Sequence, residues 1–256
     1  MGEYTDILFE IDGAVARIAV NRPQRLNACR DQTADELLDA FRRAEDNEAV
    51  RVAVLTGAGR AFGAGYDLST LDPTETPALE RVLEAHFNPL IRHMRASRLP
   101  IVCKVNGACA GASVGIALAG DVVVAAHSAY FYEPFVGIAL VPDAGNTLFL
   151  TELAGRVRSA PAMLLGERIG AEEAREWGLV WRVFDDASLD AETDAIARRL
   201  AERAPSAVAA TKRLISAASD AALDRQLDLE RDLQGAAGRS PEMKAAVAAF
   251  FASRKA

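Results

Sequence analysis

Asp143 is a carboxylate in an otherwise apolar stretch of the sequence. It lies in the segment 135–145 (FVGIALVPDAG), just before a predicted helix that begins near Gly145. Desolvation in such a segment would raise the pKa of the carboxyl group and make it a better proton acceptor. Aspartate is also strongly preferred as a helix N-cap. Two interpretations follow, a catalytic acid/base and a helix cap, and the local sequence alone favours the cap.

Two segments rich in glycine and alanine are candidates for binding an oxygen atom. They are 61–68 (AFGAGYDL) and 106–112 (NGACAGA), and each follows a predicted strand. Small residues bring main-chain N–H groups close to a ligand, so two such loops could converge on one oxygen. The alternative is that both are tight strand-to-helix turns and nothing more.

Two familiar motifs in the sequence are incomplete. Residues 111–115 (GASVG) match the G-x-S-x-G pattern of α/β-hydrolases, in which an acid and then a histidine follow the serine. The only histidine after Ser113 is His127, which is too close to leave room for the intervening elements. Residues 57–62 (GAGRAF) resemble the dinucleotide fingerprint only in part, because Phe62 replaces its third glycine. The sequence therefore disfavours both a serine hydrolase and a Rossmann site.

Composition argues against several other classes of function. The chain has 36 acidic and 29 basic residues, a net charge of −7 and no Lys/Arg-rich run, so we expect no nucleic-acid partner. The N-terminus lacks the basic and apolar regions of a secretory signal, and the weakly polar stretch 107–120 is too short to span a bilayer. We therefore expect a cytoplasmic protein with no membrane association. The three cysteines and three histidines show no metal-ligand spacing, so no metal is expected.

Strands and helices alternate over most of the chain. A hairpin around an Asp-Gly turn is predicted over 7–20, and buried strands are predicted at 50–56, 101–105 and 122–125. Helical periodicity lies between and after them, at 33–48, 79–95, 111–119, 191–203, 206–218, 221–234 and 241–254. These patterns predict an α/β core with parallel strand pairing over 1–190, followed by a helical region over 191–256.

Three segments of the chain, taken in order, resemble the signature segments of the crotonase (enoyl-CoA hydratase/isomerase) superfamily. They are 21–28 (NRPQRLNA), 61–68 and 106–121. Four later segments resemble more narrowly its isomerases of ring-1,2-epoxyphenylacetyl-CoA; they are 141–145 (VPDAG), 176–180 (EWGLV), 226–231 (QLDLER) and 237–240 (AGRS). The resemblance runs nearly end to end, although Asn146 replaces a glycine that is common in the related motif.

The resemblance implies a crotonase-like spiral of ββα units and an acyl-CoA thioester substrate. Coenzyme A would then enter as part of the substrate, with no separate cofactor. The thioester oxygen would be bound by the backbone N–H groups of Tyr66 and Ala112, and Asp143 would be the general acid/base. The CoA moiety is expected near six residues, which are Arg25, Asn27, Ala28, Ala64, Asp67 and Leu68.

The C-terminal helices are implied to form a trimerisation region. Apolar residues recur along them, including Leu223, Leu227 and Leu233, and such a stripe could bury surface between chains or pack only against its own chain. We expect a homotrimer or a dimer of trimers.

Two positions distinguish an isomerase from a hydratase in this superfamily. Hydratases use two glutamates to activate and deliver water, and the corresponding positions here are Gly115 and Phe135. Neither side chain can transfer a proton, so the resemblance favours an isomerase that uses Asp143. Glutamates at both positions are expected to raise hydration if the backbone geometry allows them. A hydratase that recruits other residues and a non-catalytic acyl-CoA-binding subunit remain as alternatives.

Overall fold

A hairpin opens the fold, as the Asp-Gly signal predicts. In the computed structural model, which describes residues 4–72, 74, 76–219 and 223–253, strands β1 (Ile7–Asp12) and β2 (Val15–Val20) pair antiparallel. The turn falls at Gly13, whose φ of 58° lies in the left-handed region. Most of β2 is buried, so the hairpin covers one end of the core.

Eight further strands of the described chain belong to two sheets. They are β3 (Val52–Gly57), β4 (Ala61–Gly63), β5 (Ile101–Val105), β6 (Ala108–Ala110), β7 (Val122–Ala126), β8 (Tyr130–Tyr132), β9 (Arg168–Gly170) and β10 (Arg182–Phe184). The larger sheet has the order β1-β2-β3-β5-β7-β10, and it is parallel from β2 onward. Its inner strands are almost wholly apolar and buried, as expected when both faces of a parallel sheet are covered.

Consecutive strands alternate between the two sheets. β3, β5 and β7 lie in the larger sheet, and β4, β6 and β8, which directly follow them, lie in the smaller sheet of order β4-β6-β8-β9. Each pair of strands therefore starts in one sheet and ends in the other. This arrangement confirms the spiral of ββα units and the α/β class that the sequence predicts.

Helices cover the sheets. They are α1 (Asp31–Asp46), α2 (Leu79–Val82), α3 (Asn88–Ala96), α4 (Ala112–Leu118), α5 (Asn146–Ala154), α6 (Arg156–Leu165), α7 (Ala171–Glu176), α8 (Leu189–Ala201), α9 (Pro205–Ser219), α10 (Leu223–Gly238) and α11 (Pro241–Ser253). A π-helical turn, Leu83–Phe87, joins α2 to α3, so the helix predicted over 79–95 carries an extra residue in one of its turns. Among the described residues, no helix combines the length and the apolar composition that a membrane-spanning helix needs.

The C-terminal helices pack on their own chain. Helix α8 lies across β2, β3, β5 and β7, and α10 packs against α2. Leu223 and Leu227 are buried in the core of the single chain at 6% and 0% exposure, so these two residues are not available to a neighbouring subunit. The interpretation of their stripe as an intersubunit surface is therefore wrong for them, and the side chain of Leu233 lies outside the described residues. The division of the chain near residue 190 stays a prediction.

Exposed apolar side chains are instead found on α5, α6 and α9. On α6, Val157, Leu164 and Leu165 are 88%, 64% and 71% exposed, and on α9 Leu214 is 73% exposed. Apolar surface that a single chain leaves uncovered commonly marks a protein–protein contact. An oligomer stays a prediction, and we now expect its subunits to contact one another through these helices.

We expect light scattering at micromolar protein concentration to report a homotrimer or a dimer of trimers. Val157→Asp should shift the distribution toward smaller species, because a charge on α6 would have to be buried at the contact. Leu8→Asp is the matched control, since Leu8 is 53% exposed on the N-terminal hairpin. A stable monomer of the unmodified chain would contradict the prediction.

Candidate functional site

The two glycine-rich loops meet at a cleft. A Cβ atom on Gly65 would lie 3.4 Å from the backbone nitrogen of Ala112, and one on Gly111 would lie 3.4 Å from the Cα of Gly65. Both glycines have positive φ, at 85° and 55°. The positive φ favours glycine at both positions, and at Gly65 a Cβ atom would also lie only 3.1 Å from the carbonyl oxygen of Ala110. Tyr66 and Ala112, the residues that follow them, both line the cleft.

The peptide groups that precede Tyr66 and Ala112 are each fixed by a hydrogen bond to their carbonyl oxygen. The carbonyl oxygen of Gly65 accepts a hydrogen bond from the N–H of Cys29 at 2.7 Å, and that of Gly111 accepts one from the N–H of Val114 at 2.9 Å. In a trans peptide the N–H points away from the C=O, so the N–H groups of Tyr66 and Ala112 point away from these contacts. Within the described residues neither N–H has an acceptor. The structure therefore brings together two donors available to an oxygen atom.

Asp143 lines the same cleft and is only 5% exposed. Its loop is tightly turned, since Ala144 and Gly145 have φ values of 53° and 84°. The N-cap of α5 is Gly145, which has no side chain with which to cap the helix. The interpretation of Asp143 as a helix N-cap is therefore wrong: two left-handed residues separate it from α5 and turn its side chain toward the cleft.

A glutamine from the C-terminal helices contacts Asp143. Gln234 on α10 donates a hydrogen bond from Nε2 to Oδ2 of Asp143 at 2.9 Å. Its Oε1 accepts a hydrogen bond from the backbone N–H of Val141 at 3.2 Å. Gln234 is 3% exposed and itself lines the cleft. Sequence reasoning did not find this residue.

Asn146 is a second residue that sequence reasoning left without a role. Its Nδ2 donates a hydrogen bond to the carbonyl oxygen of Gly111 at 3.1 Å, and its own backbone N–H donates to the carbonyl oxygen of Asp143 at 3.0 Å. The side chain is fully buried. Asn146 thus connects the Asp143 loop to the peptide group that presents the N–H of Ala112.

The wall of the cleft is apolar. It is formed by side chains from the 3-10 turn Leu68–Thr70, from α2 and its π turn, and from the segment after β8; they are Leu68, Leu79, Val82, Leu83, Phe87, Pro134, Phe135, Ile138 and Leu140. The cleft encloses about 630 Å³, counting the part open to solvent. A volume and lining of this kind suit an organic ligand with an apolar body.

Tyr66 is the other titratable residue of the lining. Its ring packs edge-on against Phe87 with 5.8 Å between centroids, and its hydroxyl donates to Oδ1 of Asp31 at 3.0 Å. Burial raises the pKa of Tyr66 to about 12. The phenol therefore stays neutral at ordinary pH, and the backbone N–H is the group that Tyr66 offers to a ligand.

The six residues predicted to lie near CoA have different surroundings. Ala64 and Leu68 line the cleft, Ala28 is buried, and Arg25 is exposed on the 3-10 turn Pro23–Arg25. The side chain of Asn27 is committed to the chain itself, since Nδ2 donates to the carbonyl oxygens of Ala58 and Ala61 and Oδ1 accepts from the N–H of Arg22. Asn27 could therefore contact a ligand only through its backbone. That these six residues contact CoA stays a prediction.

Asp67 forms a buried ion pair with Arg22. Its Oδ2 lies 2.8 Å from Nη2 of Arg22, and Oδ1 accepts from the backbone and hydroxyl of Ser69. Burial alone would raise the pKa of Asp67, but the hydrogen bonds from Ser69 and Arg22 outweigh it and lower the pKa below its ordinary value. The charged carboxylate thus anchors the loop that carries Tyr66.

The cysteines are buried thiols, and one of them contacts the loop that carries Tyr66. All three are free and buried, and Cys29 lies directly behind the Gly65 peptide that it anchors. Burial raises the pKa of the Cys29 thiol to about 12 and that of Cys109 well above its ordinary value. Among the described residues no group of three or more His, Cys, Asp or Glu side chains is placed to hold a metal ion.

The chain is similar to known proteins over nearly its whole length. The model of the family described as "Enoyl-CoA hydratase/isomerase" matches residues 10–256 of the chain. The chain is 41% identical to the 1,2-epoxyphenylacetyl-CoA isomerase of Escherichia coli over 251 residues, which cover 97% of this chain and 96% of that relative. It is 29% identical to the trans-2-decenoyl-(acyl-carrier-protein) isomerase of Streptococcus mutans, with 99% and 97% covered. A solved enoyl-CoA hydratase from Mycobacterium avium subsp. paratuberculosis superposes with a TM-score of 0.89 at 32% identity, over 98% of this chain and 97% of that one.

Proposed function

Because the chain belongs to the enoyl-CoA hydratase/isomerase family, we propose that it is an acyl-CoA isomerase with Asp143 as its general acid/base. One observation carries the proposal: the buried carboxyl group of Asp143 lines the same cleft as Tyr66 and Ala112, whose N–H groups have no acceptor in the described chain. Moving a proton beside a thioester needs both parts, a base and fixed donors for the enolate oxygen.

The reaction on a 3-enoyl-CoA follows from this arrangement. The carboxylate of Asp143 takes a proton from Cα, and the electron pair of the broken C–H bond enters a dienolate whose oxygen is bound by the N–H groups of Tyr66 and Ala112. Such donors contribute roughly 3–4 kcal/mol each to stabilising the developing charge. Asp143 then returns the proton to Cγ, which gives the 2-enoyl-CoA and restores the carboxylate. No water is consumed.

Ring-1,2-epoxyphenylacetyl-CoA is the second substrate that we propose. The 41% identity to the E. coli isomerase supports it, as does a cleft wall that includes the aromatic rings of Phe87 and Phe135. The product would be the seven-membered oxepin, with Asp143 assisting the movement of a proton. Both reactions use the same carboxylate and the same two donors.

The CoA moiety would lie beside the loops that carry Arg25 and Ala64. Arg25 is exposed there and is our proposed partner for a phosphate group. Ala28, Ala64 and Leu68 would contact the ligand through backbone groups and by van der Waals packing. Asn27 and Asp67 would act through the loops that their side chains fix.

A hydratase is the competing function, because the solved hydratase from M. avium subsp. paratuberculosis is also a similar structure. Incubating the purified protein with ring-epoxidised phenylacetyl-CoA, linear 3-enoyl-CoAs and crotonyl-CoA, followed by chromatography with mass spectrometry, separates the two. An isomerase gives products of unchanged mass that elute differently, whereas a hydratase adds the mass of water. A chain that binds these thioesters without converting any of them would be a non-catalytic acyl-CoA-binding subunit.

We expect the unmodified protein to hydrate crotonyl-CoA negligibly. Gly115 and Phe135 stand where the two hydratase glutamates are expected, so water would lack both its base and its acid. The measurement is the rate of 3-hydroxyacyl-CoA formation beside the rate of 3-enoyl-CoA isomerisation, with the same enzyme stock. Equal rates would show that Asp143 or another group handles water, and would refute the separation of isomerase from hydratase.

A further inference from the structure

Gln234 occupies the buried face of α10. It follows Leu223 by 11 positions and Leu227 by seven, spacings that return to the same side of a helix, and all three side chains are buried. A glutamine on such a face needs hydrogen-bond partners for both ends of its amide. The structure provides them at the wall of the cleft.

The orientation of the amide is set by the backbone. The N–H of Val141 can only donate, so the atom of Gln234 that faces it at 3.2 Å must be the oxygen, Oε1. The NH₂ group is thereby turned toward Oδ2 of Asp143, 2.9 Å away. Val141 and Asp143 belong to the same loop, so the side chain of Gln234 is hydrogen-bonded to that loop at two points.

We propose that Gln234 is the positioning residue for Asp143. On the proposed function, on which this inference rests, its amide fixes the direction of the carboxylate and favours the charged form that accepts the substrate proton. A neutral donor suits this task, because it stabilises the carboxylate without supplying a full positive charge that would weaken it as a base. A residue of the C-terminal helices would then help to orient the catalytic carboxylate.

The cleft makes this effect measurable. Asp143 and Tyr66 are the titratable side chains among the described residues that line it. The Tyr66 hydroxyl is bonded to Asp31, and its pKa of about 12 lies outside the working range. The buried Glu133, directly before the lining residue Pro134, is a further carboxyl group of this region, so the signal of Asp143 itself has to be followed.

The test is a titration of the Asp143 carboxyl carbon by NMR in protein labelled with ¹³C-aspartate, with Asp143→Asn identifying the signal. Gln234→Leu should raise the titration midpoint by about one pH unit, because the charged form loses a hydrogen bond. In the same variant kcat for 3-enoyl-CoA should fall about 10-fold at its pH optimum, because the direction of the carboxylate is no longer fixed, with KM changed less than about 3-fold. The acidic limb of the kcat profile should move to higher pH together with the titration midpoint. Gln234→Glu should titrate in two steps that belong to a carboxyl pair.

Gln32→Leu is the matched control, since Gln32 is exposed on α1 and bonds Glu36 there. It should leave the midpoint and the rate unchanged. An unchanged Asp143 midpoint in Gln234→Leu, with the protein folded by circular dichroism, would overturn the inference whatever the activity. A wild-type protein without isomerase activity would refute the proposed function instead, and the midpoint would still decide whether Gln234 controls the carboxylate.

Discussion

Asp143→Asn should lower kcat for isomerisation by at least about 100-fold, the usual scale for removing a general acid/base. Asparagine has nearly the shape of aspartate, and its side-chain oxygen can still accept the hydrogen bond from Gln234 Nε2 that Oδ2 of Asp143 accepts at 2.9 Å. The fold and the affinity for the thioester should therefore be kept. What is lost is the group that accepts the proton and returns it, while the two backbone donors stay in place.

The measurement is kcat and KM on a 3-enoyl-CoA, together with the melting temperature of each protein. Asp186→Asn is the matched control, because Asp186 is an exposed carboxylate that bonds Ser128. It should be as active as the unmodified enzyme. An Asp143→Asn enzyme that retains activity would remove the basis of the mechanism, and one that loses affinity and activity together would indicate a structural role for the carboxyl group.

Gly115→Ala should displace the loop that carries Asp143, and so lower both the stability and the activity of the protein. A Cβ atom at position 115 would lie 2.2 Å from the carbonyl oxygen of Ala144, and that oxygen belongs to backbone, so the loop itself must move. Overpacking of this kind costs roughly 1–3 kcal/mol of unfolding free energy, which corresponds to a fall in Tm of roughly 2–12 °C for a chain of this size. Displacing Asp143 by about 1 Å should also lower kcat by about 100-fold.

Gly170→Ala is the control for this prediction. Gly170 has a φ of −65°, and a Cβ atom there would meet no heavy atom within 4 Å. Differential scanning calorimetry and the 3-enoyl-CoA assay on both variants complete the test. A Gly115→Ala protein with the stability and rate of the unmodified enzyme would show that the close contact between α4 and the Asp143 loop is not required.

The same contact corrects an expectation drawn from the sequence. The sequence predicts that glutamates at positions 115 and 135 raise the rate of hydration if the backbone geometry allows them, and at position 115 the backbone does not. Any side chain there starts with the clash against the Ala144 carbonyl. In this fold, the loop that presents Asp143 occupies the space from which a glutamate at position 115 would have to begin.

The fold was predictable where an apolar pattern extends over a whole buried strand, a hairpin or a helix. The strand expected at 101–105 has those bounds in the structure, and the hairpin and the C-terminal helices lie within a few residues of their predicted positions. The smaller sheet was not predicted, because each of its strands has only three residues. Three residues are too few for alternation to be recognised, and these strands form because the larger sheet places their segments side by side.

The site was predictable only in its reactive parts. Asp143 and the two loops have unusual local composition, whereas Gln234 and Asn146 act through contacts that are distant in the sequence. Gln234 follows Asp143 by 91 positions, and it reaches the carboxylate because α10 packs against α2 and α5. The signal that could have found it is a glutamine in helical register with Leu223 and Leu227, on a face that is otherwise apolar.

The buried thiol of Cys29 bears on the chemical durability of an enzyme that handles acyl thioesters. A thiolate attacks such esters and would take the acyl group onto the protein. Cys29 lies beside the peptide between Gly65 and Tyr66, which carries one of the two donors. With its pKa raised to about 12 by burial, the thiol is almost never ionised at neutral pH. The packing that fixes the loop thereby also protects the protein from acylating itself, so turnover need not end in a modified, inactive chain.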